Sequence, residues 1–168
     1  MDSINRLSDM DIHAEAIVFD SATILGDVRI ERQSSIWYHA VVRGDMAPIT
    51  IGKNTNIQDG AVVHTSVDHP TKIGDNVTIG HGAIIHACTI ESEALIGMGA
   101  IILDGAVVER GAMVAAGALI PPGKVVPAYH LAVGSPMKIV RKLKEDEIIA
   151  NRENANHYVS LAKNQKEK

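Results

Sequence analysis

Eight histidines and a single cysteine are the side chains of this sequence best suited to metal binding or nucleophilic chemistry. Three of the histidines, His64, His81 and His86, lie within one short stretch near the middle of the chain. Neutral imidazoles are common ligands of zinc and similar divalent metals. The lone Cys88 excludes an intramolecular disulfide framework and a multi-cysteine zinc site, so we expect it to pack as a small apolar side chain. The histidines are therefore the first candidates, and their use depends on where the fold places them.

The elements that must place these histidines follow from a short repeat of branched side chains. Isoleucine or valine recurs at 19 positions, mostly six residues apart, and the residue four positions later is Ala, Ser, Thr or Val in 16 of the 19 units. A unit this short fits a brief strand and a tight corner, and three units close one triangular coil. The repeated positions are Ile12, Val18, Ile24, Ile30, Ile36, Val42, Ile51, Ile57, Val63, Ile73, Ile79, Ile85, Ile90, Ile96, Ile102, Val108, Val114, Ile120 and Val126.

The repeat predicts a mainly-β protein, a parallel β-helix of about six triangular coils over residues 12–131. Isoleucine and valine would fill its centre, and at about 4.8 Å per layer the prism would stand about 29 Å tall. The pattern is typical of the hexapeptide-repeat family, and this resemblance implies that the β-helix is left-handed.

Two insertions and a charged tail interrupt the repeat. The insertions, around residues 46–48 and 66–70, are expected to project from the prism as loops. After the repeat, a C-terminal amphipathic helix is predicted over 143–164, packed along one face of the stack. The whole chain, 1–168, is expected to form one domain.

When the coils are counted along the repeat, two of the three histidines fall at equivalent positions in neighbouring layers. On one face of three successive coils, the repeated position is followed by Arg43, His64 and His86. Equivalent positions in neighbouring layers lie side by side, so His64 and His86 could converge on one metal ion. The next residue of the column is Leu103, so this polar column is expected to end at His86.

The third histidine needs a second subunit. His81 falls on a different face of the prism, directly above Asp59, and cannot reach the His64 and His86 pair within one chain. A homotrimer would place His81 of one subunit against the pair of the next, giving three equivalent sites at three interfaces. Three imidazoles with an open fourth position suit catalytic zinc or a similar divalent metal.

Around these histidines the sequence resembles the γ-class carbonic anhydrase family. The resemblance implies a lyase that hydrates carbon dioxide reversibly to bicarbonate by a metal-bound hydroxide at trimer interfaces. It also implies that His64, His81 and His86 bind the metal, which would be Zn²⁺ or alternatively Fe²⁺ or Co²⁺. The motifs that carry the resemblance are Arg43-Gly44-Asp45, Asn56-Ile57-Gln58-Asp59-Gly60, Val63-His64, and the stretch from Ile79-Gly80-His81 to Ile85-His86.

The same resemblance implies further residues of the site. Gln58 matches a family glutamine that contacts the metal-bound solvent, and Asn56 matches a residue of the same hydrogen-bonding network. Tyr158, on the predicted helix, resembles a family tyrosine that reaches the site. The remaining matches are to a set of inter-subunit ion pairs, Arg43, Asp45 and Asp59.

Departures from the family pattern leave other functions open. Met46 follows Asp45 where the best-known members carry a proton-shuttling glutamate, and the later insertion holds Asp68 and His69 instead of glutamates. His69 could carry protons at the mouth of the site or be an exposed loop residue. The same fold also serves CoA-dependent acyltransferases, and it could serve a metalloprotein without carbonic anhydrase activity, such as a thioesterase-type hydrolase or a scaffold.

Composition and charge exclude several other classes of protein. The formal net charge is −4, so nothing indicates a nucleic-acid partner. No apolar run approaches the roughly 18 residues that a membrane span needs, and the N-terminus lacks the layout of a signal peptide. We therefore expect a cytoplasmic protein that acts on a small-molecule substrate.

Overall fold

The branched side chains of the repeat line the centre of a solenoid in the computed structural model, which describes residues 10–166. Ile36, Ile57, Ile79 and Ile96 follow one another in the register of successive strands, and none of them is exposed to solvent. Each buried side chain of this size contributes about 1.5–3 kcal/mol relative to exposure, so the repeated column is the main source of stability.

The secondary structure is a series of short strands followed by one helix. In chain order the elements are β1 (Met10–Ile12), β2 (Ile17–Val18), β3 (Thr23–Ile30), β4 (Ser35–Ile36), β5 (Val41–Ile51), β6 (Asn56–Ile57), β7 (Val62–His64), β8 (Thr71–Ile73), β9 (Thr78–Ile79), β10 (Ile84–His86), β11 (Thr89–Ile90), β12 (Leu95–Ile96), β13 (Ile101–Ile102), β14 (Val107–Val108), β15 (Met113–Val114), β16 (Leu119–Ile120), β17 (Val125–Val126), β18 (His130–Val133), β19 (Lys138–Lys142) and α1 (Glu145–Lys166).

These strands form three parallel stacks. The first stack runs β2, β4, β6, β9, β12, β15, β18, and β19 is added to it in antiparallel pairing. The second stack continues from the start of β5 through β7, β10, β13 and β16, and it carries the histidine pair. The third stack continues from the end of β5 through β8, β11, β14 and β17.

The predicted fold class is confirmed, with about seven turns instead of about six. The additional turn arises because β18 continues the first stack beyond Val126, the last repeated position. Ala132 of β18 occupies the core position there and is completely buried, so a small residue takes the place of isoleucine or valine.

Of the two insertions predicted to project as loops, the second forms a turn outside the strands and the first does not. In the second, Ser66 and His69 face each other in an isolated antiparallel bridge. The expectation of a projecting loop at residues 46–48 is wrong, because these residues lie inside the continuous strand β5 and Ala47 is buried. Strands β3 and β5 both run through the corner without a turn, and a register shift in their pairing accommodates the extra residues.

The helix α1 covers the N-terminal half of the first stack, where it contacts β2, β4, β6 and β9. It begins and ends two residues later than the predicted 143–164, with acidic residues in its first turn and lysines in its last, an order that suits the helix dipole. Ala155 and Ala162 face the stack and are buried. Within residues 10–166, no helix is long and apolar enough to cross a membrane.

Candidate metal centre

The histidine pair forms because β7 and β10 are neighbouring layers of the second stack. His64 and His86 end these strands and pair in register, as the repeat predicts. Nδ1 of His64 lies 3.2 Å from Nε2 of His86, and the two side chains are 17% and 30% exposed. The pair therefore presents two ring nitrogens at one partly sheltered point of the surface.

Each ring of the pair has a carboxylate at its other nitrogen. Asp45 Oδ1 lies 3.0 Å from Nε2 of His64, and Asp104 Oδ1 lies 2.7 Å from Nδ1 of His86. A carboxylate only accepts hydrogen bonds, so in both contacts the imidazole N–H donates. In the neutral rings, Nδ1 of His64 and Nε2 of His86 then carry the lone pairs that face each other.

This arrangement fits a divalent metal. Two nitrogens bound at 2.0–2.1 Å to one tetrahedral zinc ion lie about 3.3 Å apart, close to the separation of the two facing nitrogens. Without a cation or a proton between them, two lone pairs at this distance would repel each other. A ligand histidine whose second nitrogen donates to a carboxylate is the usual arrangement in metal sites.

Both carboxylates are held in the ionised form that this role requires. For Asp45, burial raises the pKa, but hydrogen bonds from His64 and Arg43 outweigh it, so the pKa lies below its usual value. For Asp104, hydrogen bonds from Ser66 and His86 lower the pKa of the carboxyl. At neutral pH both residues are therefore acceptors for the ring N–H groups.

His81 lies at the corner after β9, away from the pair. Its Nδ1 is 2.9 Å from Asp59 Oδ2, one layer below, so this imidazole also has a carboxylate partner. Its backbone N–H donates to Oε1 of Gln58 at 3.1 Å. Across residues 10–166 of the single chain, no group of three or more His, Cys, Asp or Glu side chains comes together to hold a metal ion.

Gln58 and Asn56 belong to one buried hydrogen-bonded network next to His81. Nε2 of Gln58 donates to Oδ1 of Asn56 at 3.0 Å, and Nδ2 of Asn56 donates to Oγ1 of Thr78 at 3.1 Å. Thr78 Oγ1 also accepts from Nδ2 of Asn154 on the helix at 3.0 Å, which ties the network to α1. These bonds fix which end of the Gln58 amide is oxygen and which is nitrogen.

Tyr158 reaches the same region from α1. Its ring packs edge-on against Trp37 with centroids 5.6 Å apart, and burial together with the charge of Asp59 raises the pKa of its hydroxyl. Tyr158 and Gln58 both line a cavity of about 300 Å³ beside the first stack. Further residues that line this cavity are Thr78, Leu95, Ile96, Met98 and Asn154.

The predicted site residues thus fall into two groups in different parts of the solenoid. His64 and His86 lie with Arg43 and Asp45 in the second stack, whereas His81, Asp59, Asn56, Gln58 and Tyr158 lie at the first. Within the chain, Asp45 contacts Arg43 and His64, and Asp59 contacts His81. An ion-pair role of these residues between subunits stays a prediction.

Sequence reasoning missed Asp104 and its hydrogen-bond donor Ser66. Leu103 does follow His86 in the column, but Asp104, one residue later, reaches back to His86 from the neighbouring layer. The sequence did contain a signal for this contact. Ile102 stacks directly on Ile85, and the residue two positions after Ile102 is a carboxylate. The polar column therefore extends one layer further than predicted.

The stacked coils and the carboxylate-backed histidines together define the class of the protein, a hexapeptide-repeat β-helix with a candidate metal site. The family model described as "Hexapeptide repeat of succinyl-transferase" matches residues 48–87, 70–103 and 87–121. A crystal structure of a hexapeptide transferase family protein from Anaplasma phagocytophilum is similar, with a TM-score of 0.89 and 44% identity over 92% of both chains.

Two relatives define the family more narrowly. The chain is 48% identical over 157 residues to gamma carbonic anhydrase 1, mitochondrial, of Arabidopsis thaliana, covering 90% of this chain but only 57% of that protein. It is also 48% identical over 137 residues to a carbonic anhydrase of Geobacillus kaustophilus, covering 82% of this chain and 75% of that protein. This chain therefore belongs to the gamma carbonic anhydrase family, which confirms the resemblance drawn from its sequence.

Proposed function

We propose that this protein is a carbonic anhydrase that hydrates carbon dioxide reversibly to bicarbonate at metal sites shared between the subunits of a homotrimer. The observation that supports this most directly is that each of three histidines has its own carboxylate beside one ring nitrogen, which leaves the other nitrogen for a metal. The pairs are His64 with Asp45, His81 with Asp59, and His86 with Asp104. The carbonic anhydrase names of the relatives support the same activity.

The trimer is supported by the surface beside the histidine pair. Val62 and Ile84 point outward in register on β7 and β10 and are 36% and 39% exposed. A stacked apolar column of this kind favours burial against a partner. A neighbouring copy that covers this column with the corner carrying His81 would complete each set of three histidines, and three-fold symmetry would repeat the contact.

In this proposal, His64 and His86 of one subunit and His81 of the next hold the metal, which we expect to be Zn²⁺ or alternatively Fe²⁺ or Co²⁺. When bound, the metal supplies a hydroxide nucleophile at neutral pH by lowering the pKa of a coordinated water to about 7. The carboxylates beside the three rings, Asp45, Asp59 and Asp104, favour the orientation in which each ring presents its other nitrogen to the metal.

The other site residues bind and orient the carbon substrate. The Gln58 amide is held by His81 at its oxygen and by Asn56 at its nitrogen, which leaves one N–H to donate to a bicarbonate oxygen. Leu95 and Met98 form apolar walls of the adjoining cavity, a surface that suits an uncharged gas. Tyr158 and Asn154 line this cavity on the side of the helix.

The test is stopped-flow hydration of carbon dioxide by the full chain loaded with Zn²⁺, and separately with Fe²⁺ under anaerobic conditions. We expect one metal per chain and activity above the buffer rate that is lost in His81→Ala. The matched control is His13→Ala, because His13 is exposed next to β1, where its ring accepts the backbone N–H of Glu15. Bound metal without hydration would favour the thioesterase-type hydrolase or the scaffold. Acyl transfer from acetyl-CoA would favour the acyltransferase.

A mixing experiment tests whether the sites are shared. His81→Ala subunits keep the histidine pair, and His64→Ala subunits keep His81, so each variant alone should be inactive. In randomly co-assembled trimers of equal composition, about a quarter of the interfaces would combine the intact halves and regain activity. Mixtures as inactive as either variant would contradict a site shared between subunits. The cytoplasmic location, like the single domain over 1–168, stays a prediction.

A further inference from the structure

Asp104 connects two layers of the second stack at the histidine pair. It lies after β13, and its Oδ1 accepts the Nδ1–H of His86 in the neighbouring layer at 2.7 Å. Its Oδ2 accepts the hydroxyl of Ser66, which lies in the turn after β7. The carboxylate therefore reaches across β10 and is engaged at both oxygens.

We propose that Asp104 is the positioning residue for His86 as a metal ligand and that Ser66 holds Asp104 in place, an inference that rests on the proposed metal site. A neutral histidine without a partner carries its proton on either ring nitrogen, and its ring can turn over. Donation from Nδ1 to Asp104 leaves Nε2 unprotonated and directed toward Nδ1 of His64.

Asp104 differs from Asp45, the carboxylate behind His64. Asp45 shares its charge with the Arg43 guanidinium as well as with the histidine. For Asp104, the salt bridges found among residues 10–166 include His86 alone. Because no arginine or lysine of residues 10–166 forms a salt bridge with this carboxylate, its charge acts on the imidazole and, through it, on a bound cation.

Ser66 supports this arrangement from a turn that is itself restrained. The bridge between Ser66 and His69 closes the turn, and the Thr71 hydroxyl donates to the backbone carbonyl of His64 just beyond it. The hydroxyl of Ser66 therefore meets the carboxylate from a fixed position. Loss of the hydroxyl would free one oxygen of Asp104 but leave its contact with His86 intact. Removing the hydroxyl should therefore weaken metal binding less than removing the Asp104 carboxylate.

The first test measures metal affinity by competition, in which the Co²⁺-loaded full chain is titrated with a chelator. We expect Asp104→Ala to weaken binding about 10- to 100-fold. Asp104→Asn, which conserves size and an acceptor oxygen, should lie between this variant and the wild type, and Ser66→Ala should lose less than Asp104→Ala. The matched control is Asp75→Ala, which removes a corner carboxylate that accepts the backbone N–H of Lys53 at 2.8 Å and should leave affinity unchanged.

The second test reports the tautomer directly. Long-range ¹⁵N–¹H correlation spectra of the metal-free full chain should show His86 protonated at Nδ1 in the wild type and in Asp75→Ala. In Asp104→Ala the proton should redistribute toward Nε2, a change that a general loss of stability would not produce. Unchanged affinity and an unchanged tautomer in both Asp104 variants would overturn the inference alone. A wild-type chain that binds no metal would overturn the proposed function as well.

Discussion

Two glycines flank His81, and the structure gives them different reasons for being glycine. A Cβ on Gly80 would lie 2.7 Å from the backbone nitrogen of Met98 and 2.9 Å from the carbonyl carbon of Gly97 in the next layer. A Cβ on Gly82 would meet nothing within 4 Å, but its φ of +65° is a conformation that favours glycine. Alanine substitutions at the two positions should therefore differ in cost.

At Gly80 the obstacle is the backbone of a paired layer, which cannot turn aside as a side chain can. Overpacking of this kind costs about 1–3 kcal/mol, and we expect Gly80→Ala to cost about 3 kcal/mol. At Gly82 the left-handed conformation costs about 1–2 kcal/mol, partly offset by about 0.4–1 kcal/mol from a less flexible unfolded chain. Ala87 already adopts a φ of +48° at another corner, so Gly82→Ala should cost only about 1 kcal/mol.

The assay is thermal unfolding of wild type and both variants at one protein concentration. At about 2–4 °C per kcal/mol for a chain of this size, Gly80→Ala should lower Tm by about 6–12 °C and Gly82→Ala by about 2–4 °C. Equal losses in the two variants would refute the reasoning, since only one position has a backbone atom in the way. A larger loss for Gly82→Ala would show that the positive φ costs more stability at this corner than the close approach of the next layer's backbone.

Two further predictions concern groups outside the candidate site. Burial raises the pKa of the Cys88 thiol to about 12, so a thiol reagent at pH 8 should label the folded chain far more slowly than the denatured chain; equal rates would contradict this. Hydrogen bonds from Arg141 and from the backbone N–H of Lys144 lower the pKa of Glu147 from 4.5 to about 2. The ionised Glu147 carboxylate therefore stabilises the fold fully above pH 4.5, and this stabilisation is lost as the pH falls toward 2. The Tm difference between wild type and Glu147→Gln should shrink over that range. A constant Tm difference would argue against this role of Glu147.

The stacking of His64 on His86 could be predicted because the repeat fixes both the layer and the face of a residue. Four extra residues separate Val63 from the next repeated position, Ile73, yet the chain returns in register because the isoleucine must fill the core. A register slip by one residue would turn the core side chains outward, so the hydrophobic pattern specifies the pairing strongly. The same argument placed His81 above Asp59.

Other features depend on information that the repeat does not contain. The strand β19 was not predicted, although Ile139 and Val140 are typical strand residues, because its antiparallel pairing lies outside the repeat. Residues 46–48 are part of β5 because the neighbouring strand β3 also runs straight through the corner and pairs with it. The spacing of repeated residues within one segment does not reveal such pairing between two segments. Asp104 escaped notice because its contact depends on side-chain direction at a corner.

Along the second stack, the groups of the histidine pair follow one another in four successive layers. Asp45 belongs to β5, His64 to β7 and His86 to β10, and Asp104 follows β13. The layers are about 4.8 Å apart, whereas the facing ring nitrogens approach more closely, so the rings must lean toward each other. A carboxylate beyond each ring restrains this arrangement from outside, and each acid acts on a different histidine. Substitution of either acid should therefore disturb one ring and spare the other. The order acid, histidine, histidine, acid thus explains how two ring nitrogens from neighbouring layers are held close together and facing each other.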